Sequence, residues 1–298
     1  MTRPHVVTSA ELSSLRDLEL VARATVEGLR QGLHRSPFHG YSAEFSQYRH
    51  YRPGDDLKYV DWKAFGRTDR LYSRQFRETT NLGALFVIDV SRSMAFPPQG
   101  QTKFDLARAT AAVLATLVID QGDAAGLLAV SGEGPGSTHY VPARSGRHHL
   151  HLCLAALARL KAQGKAGTSA ALTRAAALLR RRGLVVVVSD FYEEDQTLVE
   201  VRRLARIGHD VIVVHVMARE ELALQGAGAI ELQDLETGAT IVTNPNAIAD
   251  AYRDNVTAFL ARVQTAVARE GLDYVRLIAG EPLEPALRRY LVSRRGGE

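Results

Sequence analysis

At 298 residues the chain is long enough for one large domain or two, with a substantial buried core. Its hydrophobic content of 46% and charged content of 23% are ordinary for a globular protein, and a net charge of +4 is too small to imply nucleic acid by itself. The single cysteine, Cys153, excludes a disulfide framework and a cysteine-built metal site. It lies in an apolar helical run, so it reads as a small buried hydrophobe. Residues 1–10 contain no apolar stretch like a signal peptide, and no segment approaches the roughly 20 apolar residues that span a bilayer. A cytoplasmic protein is the expectation.

In chain order, Ser9 is placed to cap a helix in which Leu12, Leu15, Leu18, Val21 and Val26 recur at near-helical spacing to about Arg30. This amphipathic helix is expected to pack on the main domain. A box dense in arginine, aspartate and aromatic residues follows over 45–76. In it Arg52-Pro53-Gly54-Asp55 has tight-turn chemistry, and Leu71 to Phe76 alternates like a strand. The box reads as an Arg/Asp network clamping an irregular loop, or as a recognition surface through Arg49, Arg52, Asp55, Asp56, Trp62 and Arg67.

The run Ala84 to Ile88 is continuous, apolar and rich in branched residues, as in a strand buried on both faces, and it ends in Asp89-Val90-Ser91-Arg92-Ser93. Pro97, Pro98 and Gly100 impose a loop before a helix from about Thr102 to Gln121 with Phe104, Ala107, Ala111, Leu114 and Val118 on one face. A strand over 125–131, a turn at Gly132–Gly136 and a strand over 138–142 predict an antiparallel pair. Helices over 147–161 and 169–182 precede a buried strand from Leu184 to Ser189 that ends in Asp190. Then come a helix over 198–207, a strand over 210–216, an inserted hairpin at about 229–243, a helix over 246–270, a strand over 273–278 and a helix over 285–293.

Strands alternating with helices predict an α/β fold. Its doubly wound, mostly parallel sheet carries one antiparallel strand, with an N-terminal helix and a β-rich box in front. The expected divisions are 1–82, 83–280 and 281–298.

Asp89, Ser91 and Ser93 fall where a central strand feeds a loop, the usual ligand crevice of an open α/β sheet. Thr168, just before a helix, and Asp190, at a strand end, offer two more oxygens. Such hard donors suit magnesium, or manganese or calcium, rather than a soft metal. Asp-x-Ser-x-Ser, then Gly167-Thr168, then a hydrophobic strand ending in Asp190 resembles the metal-ion-dependent adhesion site of von Willebrand factor A domains, over roughly 83–280. The resemblance implies an open coordination position filled by an Asp or Glu of a partner protein.

The box resembles a narrower bacterial group, the domain-of-unknown-function 58 family. The likeness is carried by Arg49, Tyr51, Gly54, Asp55 and Asp56, by Asp61-Trp62-Lys63, and by Arg67-Thr68. Residues 271–276 and 282–287 are similar to that family's ending. Membership would imply a non-catalytic, magnesium-dependent protein–protein interaction module, adaptor-like or chaperone-like. Its implied partner is a MoxR-type AAA+ ATPase, in the assembly or activation of a protein complex.

Between Gly134 and Ser189 there is no Asp or Glu, while Arg144, Arg147 and Lys165 are among many cations. They read as a basic rim steering an acidic partner or as solvated helix faces. His148-His149-x-His151 has no acidic ligand nearby in sequence, so zinc is not expected there. Two rivals stay open. One is a magnesium-dependent phosphatase-like hydrolase using Asp89, although Ser91 stands where such chemistry wants a second acid. The other is nucleic-acid binding through the Arg-rich stretch 144–182, which the modest charge and the lack of an RNA-type aromatic motif disfavour.

Overall fold

A computed structural model of the protein describes residues 14–30, 43–52, 60–78, 82–130, 138–165, 167–179, 181–224, 226 and 228–296. The chain forms two compact units, Phe38–Leu82 and the remainder. Helix α1 (Leu15–Arg30) buries Leu18, Ala22, Val26 and Leu29, spaced three and four apart. Ser9, its expected cap, lies outside the described residues; Ser14 and Asp17 cap it reciprocally, at 3.1 and 3.2 Å.

The smaller unit pairs β1 (Ala43–His50) antiparallel with β2 (Tyr72–Glu78). Between them lies α2 (Trp62–Thr68), a helix that the sequence reading did not foresee. The Asp61 carboxylate accepts from the backbone N–H groups of Lys63 and Ala64, both at 3.0 Å, and Asp69 ends the helix in a left-handed conformation. Asp-Trp-Lys is thus a helix start.

The larger unit contains β3 (Gly83–Asp89), a 3-10 turn (Arg92–Ala95), α3 (Lys103–Asp120), β4 (Ala124–Val130), β5 (Thr138–Arg144) and α4 (Arg147–Arg159). It continues with α5 (Thr168–Leu178), β6 (Leu184–Ser189), α6 (Glu194–Arg206), β7 (Asp210–Ala218) and the short α7 (Arg219–Leu222). The hairpin β8 (Ile230–Gln233) and β9 (Thr240–Thr243), α8 (Pro245–Arg269), β10 (Asp273–Ala279) and α9 (Leu283–Gly296) complete it. Six strands run in the order β10-β7-β6-β3-β4-β5, all parallel except β5. The predicted architecture is therefore found, although the turn expected at 132–136 lies outside the described residues.

Alternation sorts the strand residues between two faces. Leu85, Val87, Val185, Val187, Val211 and Val213 form one core with α5, α6 and α8. The opposite face packs on α3. Here the sequence reading needs correcting: α3 does not bury one face but every residue except Asp120. Helices α1 and α4 pack on it as well, so the helix is covered on all sides; it is largely apolar, and its buried Lys103, Asp105 and Arg108 are ion-paired. The N-terminal helix, grouped with the box in the expected division 1–82, belongs to the sheet unit because its apolar stripe packs on α3, α4 and α9. Helix α9 is likewise part of this unit, with Leu283, Leu287 and Leu291 buried. Among the described residues no helix is long and apolar enough to cross a membrane.

Candidate functional site

Strands β3 and β6 are parallel neighbours with Ile88 opposite Val188, so their ends deliver Asp89, Ser189 and Asp190 to one sheet edge. The Ser189 hydroxyl donates to Asp89 Oδ2 at 2.6 Å and the Ser91 N–H to Asp89 Oδ1 at 2.9 Å. The hydroxyls of Ser91 and Ser93 lie 2.9 Å apart. The chain after Asp190 folds back through Phe191, at φ +57, and the Phe191 N–H donates to Ser189 Oγ at 3.0 Å. A buried, non-glycine residue in the left-handed region stores strain that its surroundings must hold in place.

Thr168 arrives from the far side. Gln163 N–H donates to Val90 O at 2.7 Å and Arg92 N–H to Gly164 O at 3.2 Å, which ties the loop before α5 to the loop after β3. Asp89, Ser93, Thr168 and Asp190 line one cavity of about 500 Å3. Ser91 joins them through its bond to Ser93. The five predicted donors, brought from three stretches of chain, are each at most 8% exposed.

Sequence reasoning missed what lies beneath. The ammonium of Lys103, with no exposed side-chain surface, bridges Asp190 Oδ2 at 2.8 Å and Glu221 Oε1 at 2.5 Å. It also lies 4.6 Å from the centroid of the Tyr192 ring. Burial works to lower its pKa, but Asp190 and Glu221 outweigh that and hold it above the ordinary lysine value. Lys103 opens α3, an end whose dipole disfavours a cation; a lysine there, ahead of an apolar helix, was the available clue. His215, also missed, has Nε2 3.0 Å from the Asp190 carbonyl oxygen and Nδ1 2.9 Å from the Tyr274 hydroxyl.

Burial, then the charge of Asp190, pushes the Asp89 carboxyl above its usual range, against the bonds from Ser189 and Ser91. Thr168 Oγ1 is buried without a hydrogen-bond partner in the structure. A buried hydroxyl left unsatisfied beside two mutually repelling carboxylates fits a hard divalent cation. Among the described residues no three of His, Cys, Asp and Glu converge closely enough to hold an ion, so hydroxyl donors are part of that fit.

Arg49, Arg52, Trp62 and Arg67 belong to the smaller unit; Trp62 is 58% exposed, and Asp55 and Asp56 fall outside the described residues. Arg144, Arg147 and Lys165 are exposed and do not line the cavity, whose rim holds Glu193, Asp234 and Glu236 instead. His149 Nε2 lies 2.9 Å from Ala125 O, whereas His151 pairs with Glu19, so the histidine cluster does not converge. Burial pushes the Cys153 thiol up to about 11, consistent with a packing role.

Three likenesses to known proteins follow. The uncharacterized protein Rv1480 of Mycobacterium tuberculosis (strain ATCC 25618 / H37Rv) is 31% identical over 293 residues, covering 96% of this chain and 90% of that one. An aerotolerance-related membrane protein from Bacteroides fragilis NCTC 9343 is similar at 18% identity and a TM-score of 0.46, over 71% of this chain and 99% of that one. The VWA domain of SpRpn10 is similar at 13% identity and a TM-score of 0.41, over 69% and 93%. The family model described as "Protein of unknown function DUF58" matches residues 47–264, spanning the box, the sheet-edge donors and most of α8, and the chain belongs to that family.

Proposed function

We propose that the protein is a non-catalytic interaction module that takes a partner protein through a magnesium ion, or another hard divalent cation, at the edge of its sheet. The observation that carries this reading is the convergence of Asp89, Ser93, Thr168 and Asp190 on one cavity, with Thr168 Oγ1 left without a partner. Ser91, Ser93 and Thr168 would offer neutral oxygens, and Asp89 and Asp190 the negative charge. When bound, the ion supplies a Lewis-acidic position for a partner's Asp or Glu. The Ser91 N–H and the Ser189 hydroxyl orient Asp89, and Lys103 fixes Asp190 from below.

Both Asp89 oxygens are already hydrogen-bonded, and the residue two positions on is a serine, which favours binding over phosphoryl transfer. The proposed working partner is a MoxR-type AAA+ ATPase, with a role as an adaptor or chaperone-like factor in assembling or activating a complex. That part rests on family resemblance.

Calorimetric titration with MgCl2 and MnCl2, beside thermal unfolding in EDTA, tests the ion. At a hundredfold excess over Kd, bound metal should stabilise the wild type by about 2.7 kcal/mol and leave Asp89→Asn unmoved. A wild type giving no heat and no shift with either ion sinks the reading.

A further inference from the structure

The two carboxylates of the site are held differently. Asp89 accepts from neutral donors on both oxygens, the Ser189 hydroxyl at 2.6 Å and the Ser91 N–H at 2.9 Å. Asp190 instead gives Oδ2 to the Lys103 ammonium at 2.8 Å, and its Oδ1 accepts a long bond, 3.4 Å, from the Tyr192 N–H. One oxygen of Asp190 is thus committed to a cation that belongs to the protein, and the other serves the cavity that Asp190 lines.

Lys103 does not line that cavity, and its side chain has no exposed surface. It cannot touch an ion there, and solvent does not screen it, so its charge acts on Asp190 more strongly than a surface lysine's would. Glu221 shares the ammonium through Oε1 at 2.5 Å, while its Oε2 accepts from the Ala218 N–H at 2.7 Å. The offset of Asp190 is therefore partial, and Glu221 sets how large it is.

Two unpaired carboxylates would balance a divalent ion in full. With one of them already facing an ammonium, the ion is held more loosely and keeps more of its charge for a further anion. We infer that Lys103 is a positioning residue that acts through Asp190 to weaken the site's hold on a divalent cation, so that cation and carboxylate ligand each bind better with the other present. The inference rests on the metal reading above and specifies how that site is regulated. A lysine that only supports the floor predicts the opposite sign, because loosening Asp190 would cost affinity for the ion.

The test is calorimetric titration of the full chain with MgCl2, in sodium chloride and in sodium acetate of equal ionic strength, with free magnesium matched. Acetate is the carboxylate probe. In the wild type it should tighten magnesium binding about fivefold. Lys103→Gln drops the charge and keeps a hydrogen-bonding side chain. In chloride it should bind magnesium about tenfold more tightly than wild type, and it should gain nothing from acetate. Glu221→Gln leaves the ammonium to Asp190 alone, so it should bind magnesium more weakly than wild type and gain more from acetate.

Near-UV circular dichroism checks that each variant is folded. If Lys103→Gln is not, Lys103→Gln/Glu221→Gln strands one carboxylate fewer and should bind magnesium more tightly than Glu221→Gln. Equal or weaker magnesium binding on loss of the lysine, with the wild type binding, overturns the inference and leaves the metal reading intact. An acetate effect that is absent from the wild type, or equal in wild type and Lys103→Gln, does the same. A wild type that gives neither heat nor thermal shift with MgCl2 or MnCl2 overturns the metal reading, and this inference falls with it.

Discussion

The two walls of the cavity are made by different physics. The floor, Asp89, Ser189, Asp190, Lys103 and His215, is buried, and each member is held by a named partner. The rim is a hairpin whose strands bury little: Ile241 is 62% exposed and Val242 71%. Its shape comes from a local Asp234 turn rather than from the core. Floor residues are therefore tied to stability, while rim residues can change what is bound without changing whether the chain folds.

The largest effect should come from Lys103→Met. It leaves the buried Asp190 and the half-buried Glu221 without their cation, at a cost of about 3–5 kcal/mol by urea denaturation. A loss below about 1 kcal/mol would mean that the floor does not depend on that ammonium.

His215 comes next. Burial lowers its pKa from 6.5 to about 4. The unfolded chain takes up the proton near 6.5 and the folded one only near 4, so acidification through that window favours unfolding. Between pH 7 and pH 5 the wild type in EDTA should lose about 2 kcal/mol through this residue. In His215→Gln that part of the slope should vanish; an unchanged slope would assign the acid limb elsewhere, with His209, lowered likewise by burial, the first candidate.

Asp89→Asn sharpens the contrast by its sign. Because burial and Asp190 disfavour the Asp89 charge, the variant in EDTA should be as stable as wild type or more so, while losing its response to magnesium. Marked destabilisation without metal would make Asp89 structural. The smallest effect belongs to the rim: Glu236→Gln should stay within about 0.5 kcal/mol of wild type. A larger loss would show the hairpin tip to be part of the core's support.

How much of this was legible depends on the range of the contact. Asp89, Ser91 and Ser93 could be read because an apolar run delivers them to a strand end within five residues, and Asp190 because a second such run does the same. Helix α2 was missed: seven residues containing Gly66, with none buried, carry no apolar period to detect, and only the Asp61 cap announces it. The hairpin was visible from its alternation, yet nothing in that alternation says that its tip borders Asp89.

The sequence alone determined the order of most strands and helices and the mostly parallel sheet, since each follows from side-chain periodicity or from a few adjacent residues, and together with a family resemblance it singled out five oxygen-bearing side chains. Tertiary structure alone decided that α3 is buried all round, that Lys103 reaches Asp190 across 87 positions and Glu221 across 118, and that the rim is acidic rather than basic. Periodicity reports which face of an element avoids water. Which charge meets which is set only when those faces pack, and packing joins residues that have no local pattern in common.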